Sequence, residues 1–188
     1  MTAGRLLEIV EGTLHANRNE WIFLRELRVG SGRGGGRQSL QRVDGFALNC
    51  YPHKAMRRVC YEIKLSRADF LTELRNPLKR RIGMRYSNEF YFVTPAGLVT
   101  RDEIPAGCGL IEAGEGTVEE WRSALERQDG FFHYEPLLGA YCVLVLPAPW
   151  RDTPGPTWEL MAAMMRHQRR LLEEATAGPA EQAKLEFE

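Results

Sequence analysis

The run Arg58-Val59-Cys60-Tyr61-Glu62-Ile63-Lys64-Leu65 alternates in character and reads as a β-strand. Successive strand side chains point to opposite faces, so Glu62 and Lys64 share one face while Tyr61, Ile63 and Leu65 share the other. A carboxylate and an ammonium two residues apart on one face can act together. The preceding strand-like segment, Arg42-Val43-Asp44-Gly45-Phe46-Ala47-Leu48, carries a further acid, Asp44. Asp44 with Glu62 would form a site for a hard divalent cation such as Mg²⁺, which prefers carboxylate oxygen. Lys64 would then orient or activate a water.

A chain of 188 residues is long enough to bury one core without covalent staples. Cys50, Cys60, Cys108 and Cys142 lack Cys-x-x-Cys spacing and read as buried free thiols in a reducing compartment. His15, His53, His133 and His167 are too scattered for a histidine metal cluster. No signal peptide or membrane-length apolar run is present, so the expectation is a cytoplasmic protein with no membrane partner. The formal net charge is +0, but between Lys54 and Arg85 ten basic residues face only Glu62, Asp69 and Glu73. Acidic residues gather later, at Glu112, Glu115, Glu119 and Glu120 and again at Glu181, Glu186 and Glu188. A neutral total thus conceals a basic segment suited to phosphate contact.

Residues 3–16 read as an amphipathic helix after Thr2, with Glu8 and Glu11 on its polar face. Trp21 to Val29 alternates, and Glu26 falls on the side of Ile22 and Leu24. Ser31 to Arg37 is a Gly-rich connection into the Asp44 strand, in which Arg33 and Arg37 are candidate phosphate contacts. Ser66 and Asp69 have the spacing of a capping box, and Asn76-Pro77 opens a second helix. In that helix Leu78, Ile82 and Tyr86 form the expected buried stripe, with Lys79, Arg80 and Arg81 outward. Glu89 to Thr94, Gly109 to Glu112 and Ala140 to Leu146 read as further strands, and Thr117 with Glu120 as the capping box of a helix reaching Gln128. The organisation expected is a core over 1–146, a rigid Pro-rich linker over 147–156, a helix over 157–176 and a flexible tail over 177–188. Leu160, Met161, Met164, Met165, Leu171 and Leu172 form the expected apolar face of that helix.

The order of elements suits an α/β fold with a central mixed sheet flanked by helices. The Asp44 and Glu62-Ile63-Lys64 pair resembles the PD-(D/E)XK nuclease superfamily, with Val43 standing where the superfamily's name has Pro. The likeness extends through Tyr61 to Leu71, Asn76 to Arg80 and Phe90 to Pro95, about residues 20 to 113 in all. Over that stretch it resembles the small bacterial and phage branch that includes MmcB-type DNA-repair nucleases. The resemblance implies a restriction-endonuclease-like fold and an Mg²⁺- or Mn²⁺-dependent deoxyribonuclease. Asp44 and Glu62, with the backbone carbonyl of Ile63, would hold the metal, and Asp44, Glu62 and Lys64 would be catalytic. DNA would be the partner, contacted by Arg33, Arg37, Arg42, Arg67, Lys79 and Arg80, and a homodimer is left open. Many members add a glutamate from the first helix, for which Glu8 and Glu11 match by position. Glu26 ranks above them as an extra ligand, because an acid on an apolar strand flank is costly without a cation.

Three alternatives stay open at this point. Glu62 and Lys64 could be a structural ion pair. The chain could be a non-catalytic nucleic-acid-binding protein that keeps the nuclease fold. It could also be a metal-dependent hydrolase of another phosphodiester, although an extended basic segment favours a polymer.

Overall fold

The structure, a computed structural model, describes residues 1–30, 40–117, 120, 131–135 and 139–176. Helix α1 spans Ala3–Leu14, and the Thr2 side chain caps it by accepting from the Arg5 amide at 3.2 Å. Its apolar spacing becomes one buried stripe of Leu6, Leu7, Ile9 and Val10. Strands β1 (Trp21–Gly30) and β2 (Leu40–Asn49) then pair antiparallel, from Trp21 opposite Asn49 to Gly30 opposite Leu40. The connection bearing Arg33 and Arg37 lies outside the described residues.

Strand β3 (Arg58–Ile63) continues the antiparallel order, whereas β4 (Glu89–Thr94) and β5 (Gly109–Glu115) join in parallel. Parallel neighbours need a crossover. Between β3 and β4 it is made by α2 (Arg67–Arg75), a 3₁₀ turn (Pro77–Arg80) and α3 (Arg81–Tyr86). Strands β6 (Phe131–Glu135) and β7 (Ala140–Leu146) complete a seven-stranded mixed sheet in the order β1-β2-β3-β4-β5-β7-β6. The chain is therefore α/β, a mixed sheet with helices on both faces. The β6 strand is absent from the expected element list. Helix α4 (Trp158–Thr176) closes the described part.

Each face of the sheet has its own core. On one, α1 covers Ala47, Val59, Tyr61, Ile63, Val93 and Ile111. On the other, Phe70 of α2, Ile82 and Tyr86 of α3 and Leu160 and Ala163 of α4 cover Leu27, Phe46, Phe92 and Leu110. Phe70 meets Phe92 edge to face, with ring centroids 5.3 Å apart. Burying each such ring stabilises the fold by about 1.5–3 kcal/mol.

Several local expectations need correction. Leu78 is 65% exposed, so only Ile82 and Tyr86 of the expected stripe are buried. Asn76 makes no side-chain cap, because the chain turns first through the 3₁₀ segment. On α4 the buried side runs through Leu160, Ala163 and His167, while Met161, Met165, Leu171 and Leu172 are exposed. The Pro-rich segment is stitched to the body: the Arg151 amide donates to the Asn88 carbonyl at 2.9 Å, and Arg58 Nη2 donates to Thr153 Oγ1 at 2.7 Å. The Thr117–Glu120 box forms, with each amide bonded to the other side chain. The helix beyond it and the tail from Ala177 lie outside the described residues. Cys60, Cys108 and Cys142 are buried thiols, and Cys50 is half-buried.

Candidate functional site

Asp44 and Glu26 fall between the Arg25–Gly45 and Leu27–Val43 pairs of the β1–β2 hairpin, at the point where the pleat of both strands inverts. Leu24 and Leu27 face the same core although three residues apart, and so do Val43 and Phe46. Strict alternation would separate each pair. Glu26 makes the inversion on β1 with φ 54, a left-handed value uncommon outside glycine. Beside Asp44, Gly45 allows close packing of α1: a Cβ there would stand 2.8 Å from Leu7 Cδ2 and 3.1 Å from Phe23 Cζ.

The inversion carries Glu26 away from the apolar flank of Leu24. Its side chain is 55% exposed and sits 3.5 Å from Arg42. The desolvation argument for Glu26 as a metal ligand is thereby removed, although Glu26 does border the cavity described below.

Asp44, by contrast, is turned inward and braced by the next strand. Its Oδ2 accepts from the Ile63 amide at 3.0 Å, and its Oδ1 is 3.5 Å from Arg42 Nη2. One residue back on β3, Glu62 accepts a 2.8 Å hydrogen bond from Lys64 Nζ through Oε1. Burial, and then the nearby Asp44 charge, raise the Glu62 pKa to about 7 despite the opposing pull of Lys64. For Lys64 burial works against the ammonium, yet Glu62, Glu73 and Asp69 keep its pKa above the ordinary lysine value.

Glu73 was not among the residues expected here. It is 1% exposed, and neither carboxylate oxygen has a hydrogen-bond partner among the described residues. Lys64 Nζ lies 3.6 Å away on one side and Arg80 Nη1 3.7 Å on the other. Two cations thus offset a burial that would otherwise be prohibitive. The sequence signal for Glu73 was its place three residues after Phe70, on the buried side of α2. Arg80 is itself buried, donating to the Glu73 carbonyl at 3.1 Å and lying 5.8 Å from the Phe92 ring centroid. Its expected role as an outward DNA contact does not hold. Ser66 caps α2 as expected, accepting from the Asp69 amide at 3.2 Å. The Asp69 carboxylate instead stands 3.7 Å from Lys64 Nζ.

A cavity of about 750 Å³ is lined by Asp44, Glu62, Ile63, Lys64, Asp69 and Lys79. Arg25, Arg42 and Glu11 border it, and α4 adds His167, Arg170 and Leu171. Glu11 is tied to Arg25 at 2.6 Å, while Glu8 lies outside the cavity lining and pairs with Arg5 at 2.8 Å. Of the other expected DNA contacts, Lys79 is exposed at the cavity edge and Arg42 is flanked by Glu26 and Asp44. Arg67 forms a two-pronged pair with Glu103, whose pKa is held down to about 2, chiefly by that hydrogen bond. It is therefore not a free cation.

Among the described residues, no group of three or more His, Cys, Asp or Glu side chains is arranged to hold a metal ion. The donor set that could do so is smaller: Asp44 and Glu62, both hard carboxylates, completed by backbone oxygen or water. They fit in one specific respect. Glu62 resists ionisation beside Asp44, and a divalent cation between the two would remove that repulsion.

No family model matches the chain, and no curated protein matches it. Among solved structures the chain is similar to SPO1766, a protein of unknown function from Silicibacter pomeroyi. The two share 20% sequence identity and a TM-score of 0.57 over 95% of this chain and 97% of that one, a likeness of fold alone.

Proposed function

We propose that this protein is a metal-dependent DNA endonuclease of the restriction-endonuclease-like fold. The observation that carries the reading is the meeting of Asp44, Glu62 and the 6% exposed Lys64 at the wall of one open cavity. The Glu62–Lys64 bond alone would also suit a structural ion pair. A structural pair, however, gains nothing from Asp44, whose charge works against the ionised Glu62.

In this reading Asp44 and Glu62, with the Ile63 carbonyl, hold Mg²⁺ or Mn²⁺, which supplies Lewis acidity toward a phosphodiester and its attacking water. Lys64 Nζ, fixed by its bond to Glu62, orients that water and adds positive charge where the transition state becomes more negative. Glu73 acts through Lys64 as a positioning residue, keeping the ammonium charged in a buried place. The second reading, a metal-dependent hydrolase of a smaller phosphodiester, is favoured by the enclosed carboxylates but not by the basic groups around the cavity.

The test is cleavage of branched, gapped, single-stranded and duplex DNA with Mg²⁺, Mn²⁺ or EDTA. Lys64→Gln is preferable to Lys64→Ala, since it leaves a polar group beside Glu62 and Glu73. It is expected to lower the rate by on the order of 10²–10³. Metal-independent cleavage, or unchanged rates in a folded Lys64→Gln variant, counts against the proposal.

A further inference from the structure

A second cavity, of about 160 Å³, lies between β1 and the middle of α4 and is lined by Glu26, Arg28, Ala163, Arg166, His167 and Arg170. Glu26, His167 and Arg170 also line the larger cavity, so the two adjoin. Three arginines and one acid line it, and that acid, Glu26, is already 3.5 Å from Arg42. Arg170 is balanced by Glu174 at 3.4 Å and lies 3.4 Å from His167 Nδ1. For Arg28 and Arg166, no ion-pair partner is found among the described residues.

The sheet makes the arrangement more costly. Arg28 on β1 stands directly opposite Arg42 on β2, and like charges at such positions repel. Among the described residues that line the smaller cavity Glu26, displaced outward by its left-handed backbone, is the one acid. A bound anion would relieve the repulsion, and guanidinium groups match phosphate oxygens in both charge and geometry.

We infer that Arg28, Arg166 and Arg170 form a phosphate-binding subsite that holds the DNA backbone beside the Asp44–Glu62 site. The inference rests on the proposed function for the identity of the strand, and on the cavity geometry for the phosphate. It gives α4 a role in substrate binding as well as in packing: Leu160 and Ala163 anchor the helix to the core, while its next turns carry the cations.

The experiment measures binding of a fluorescent oligonucleotide by anisotropy in EDTA across a salt series, with tripolyphosphate as a competitor. The variants are Arg28→Ala, Arg166→Ala and the triple change with Arg170→Ala, each checked for folding by circular dichroism, and Arg101→Ala is the control. The triple variant is expected to bind DNA at least tenfold more weakly and to lose about two to three from the slope of log K against log salt. Tripolyphosphate should compete with DNA on the unaltered protein. Either single variant should lower the slope by about one, and Arg101→Ala should not change it. An unchanged slope in the triple variant overturns the subsite and leaves the nuclease reading standing. Loss of phosphate binding in that variant, in a protein that never cleaves DNA with metal, keeps the subsite and removes the nuclease reading.

Discussion

Glu62 and His15 are both buried ionisable groups, and their pH effects have opposite signs. Burial and Asp44 raise the Glu62 pKa from 4.5 to about 7, so the folded chain holds a proton that the unfolded chain releases between those values. Stability from this source is complete below about pH 4.5 and is lost as pH rises through 7. His15 is pushed the other way, from 6.5 to about 3, chiefly by burial and secondarily by Arg57, while its Nε2 is hydrogen-bonded with Tyr61 Oη at 2.7 Å. Its contribution is present above pH 6.5 and is lost as pH falls toward 3. Each effect is on the order of 3–5 kcal/mol. Urea unfolding across pH 4 to 7 is therefore expected to show stability rising with pH in Glu62→Gln and falling in His15→Gln. Parallel profiles in the two variants would show that neither group is shifted as described. The Glu62–Lys64 pair was legible in the sequence because both residues lie on one short strand. Glu73 and Arg80 were not, because their partners come from other elements.

At the scale of elements, the β1–β2 hairpin departs most from its sequence pattern. Trp21 to Val29 alternates as written, but the left-handed Glu26 inverts the pleat and lets Leu24 and Leu27 enter one core. Glycine adopts that φ without penalty, whereas a β-branched residue does so only under strain. Glu26→Gly is expected to be neutral or to stabilise the fold by up to about 1 kcal/mol, and Glu26→Val to cost about 1–2 kcal/mol. Chemical denaturation of both variants checks this, and a stabilising valine would contradict it. Helix α4 carries a similar lesson. Its apolar residues outnumber the places available on the core, so packing selects Leu160 and Ala163 with His167 and leaves Met165 and Leu172 in solvent. Helical periodicity reveals a stripe but does not choose between two candidate stripes.

For the whole molecule, a cation that binds only the folded chain should raise its unfolding free energy, by about 2.7 kcal/mol at a hundredfold excess over Kd. Thermal unfolding with Mn²⁺ is expected to shift upward, more at pH 8 than at pH 6, because Glu62 must lose its proton to bind. Asp44→Ala or Glu62→Ala should abolish the shift; a shift that survives in the double variant places the ion elsewhere. Local signals sufficed for what lies within one segment. Thr2 and Ser66 cap their helices, Arg58 to Ile63 forms a strand, and the strand and helix order implies a mixed α/β sheet. Alternation also placed Glu62 and Lys64 on one face. The tertiary structure decided which groups meet across segments: Asp44 with the Ile63 amide, Glu73 with Lys64 and Arg80, and α4 with the outer edge of β1. It also decided which basic residues remain open, burying Arg80 and pairing Arg67 while leaving Lys79 exposed. The physical reason is that periodicity and capping depend on neighbours a few residues apart. Burial and ion pairing depend on long-range packing, which the order of residues in a single segment does not encode.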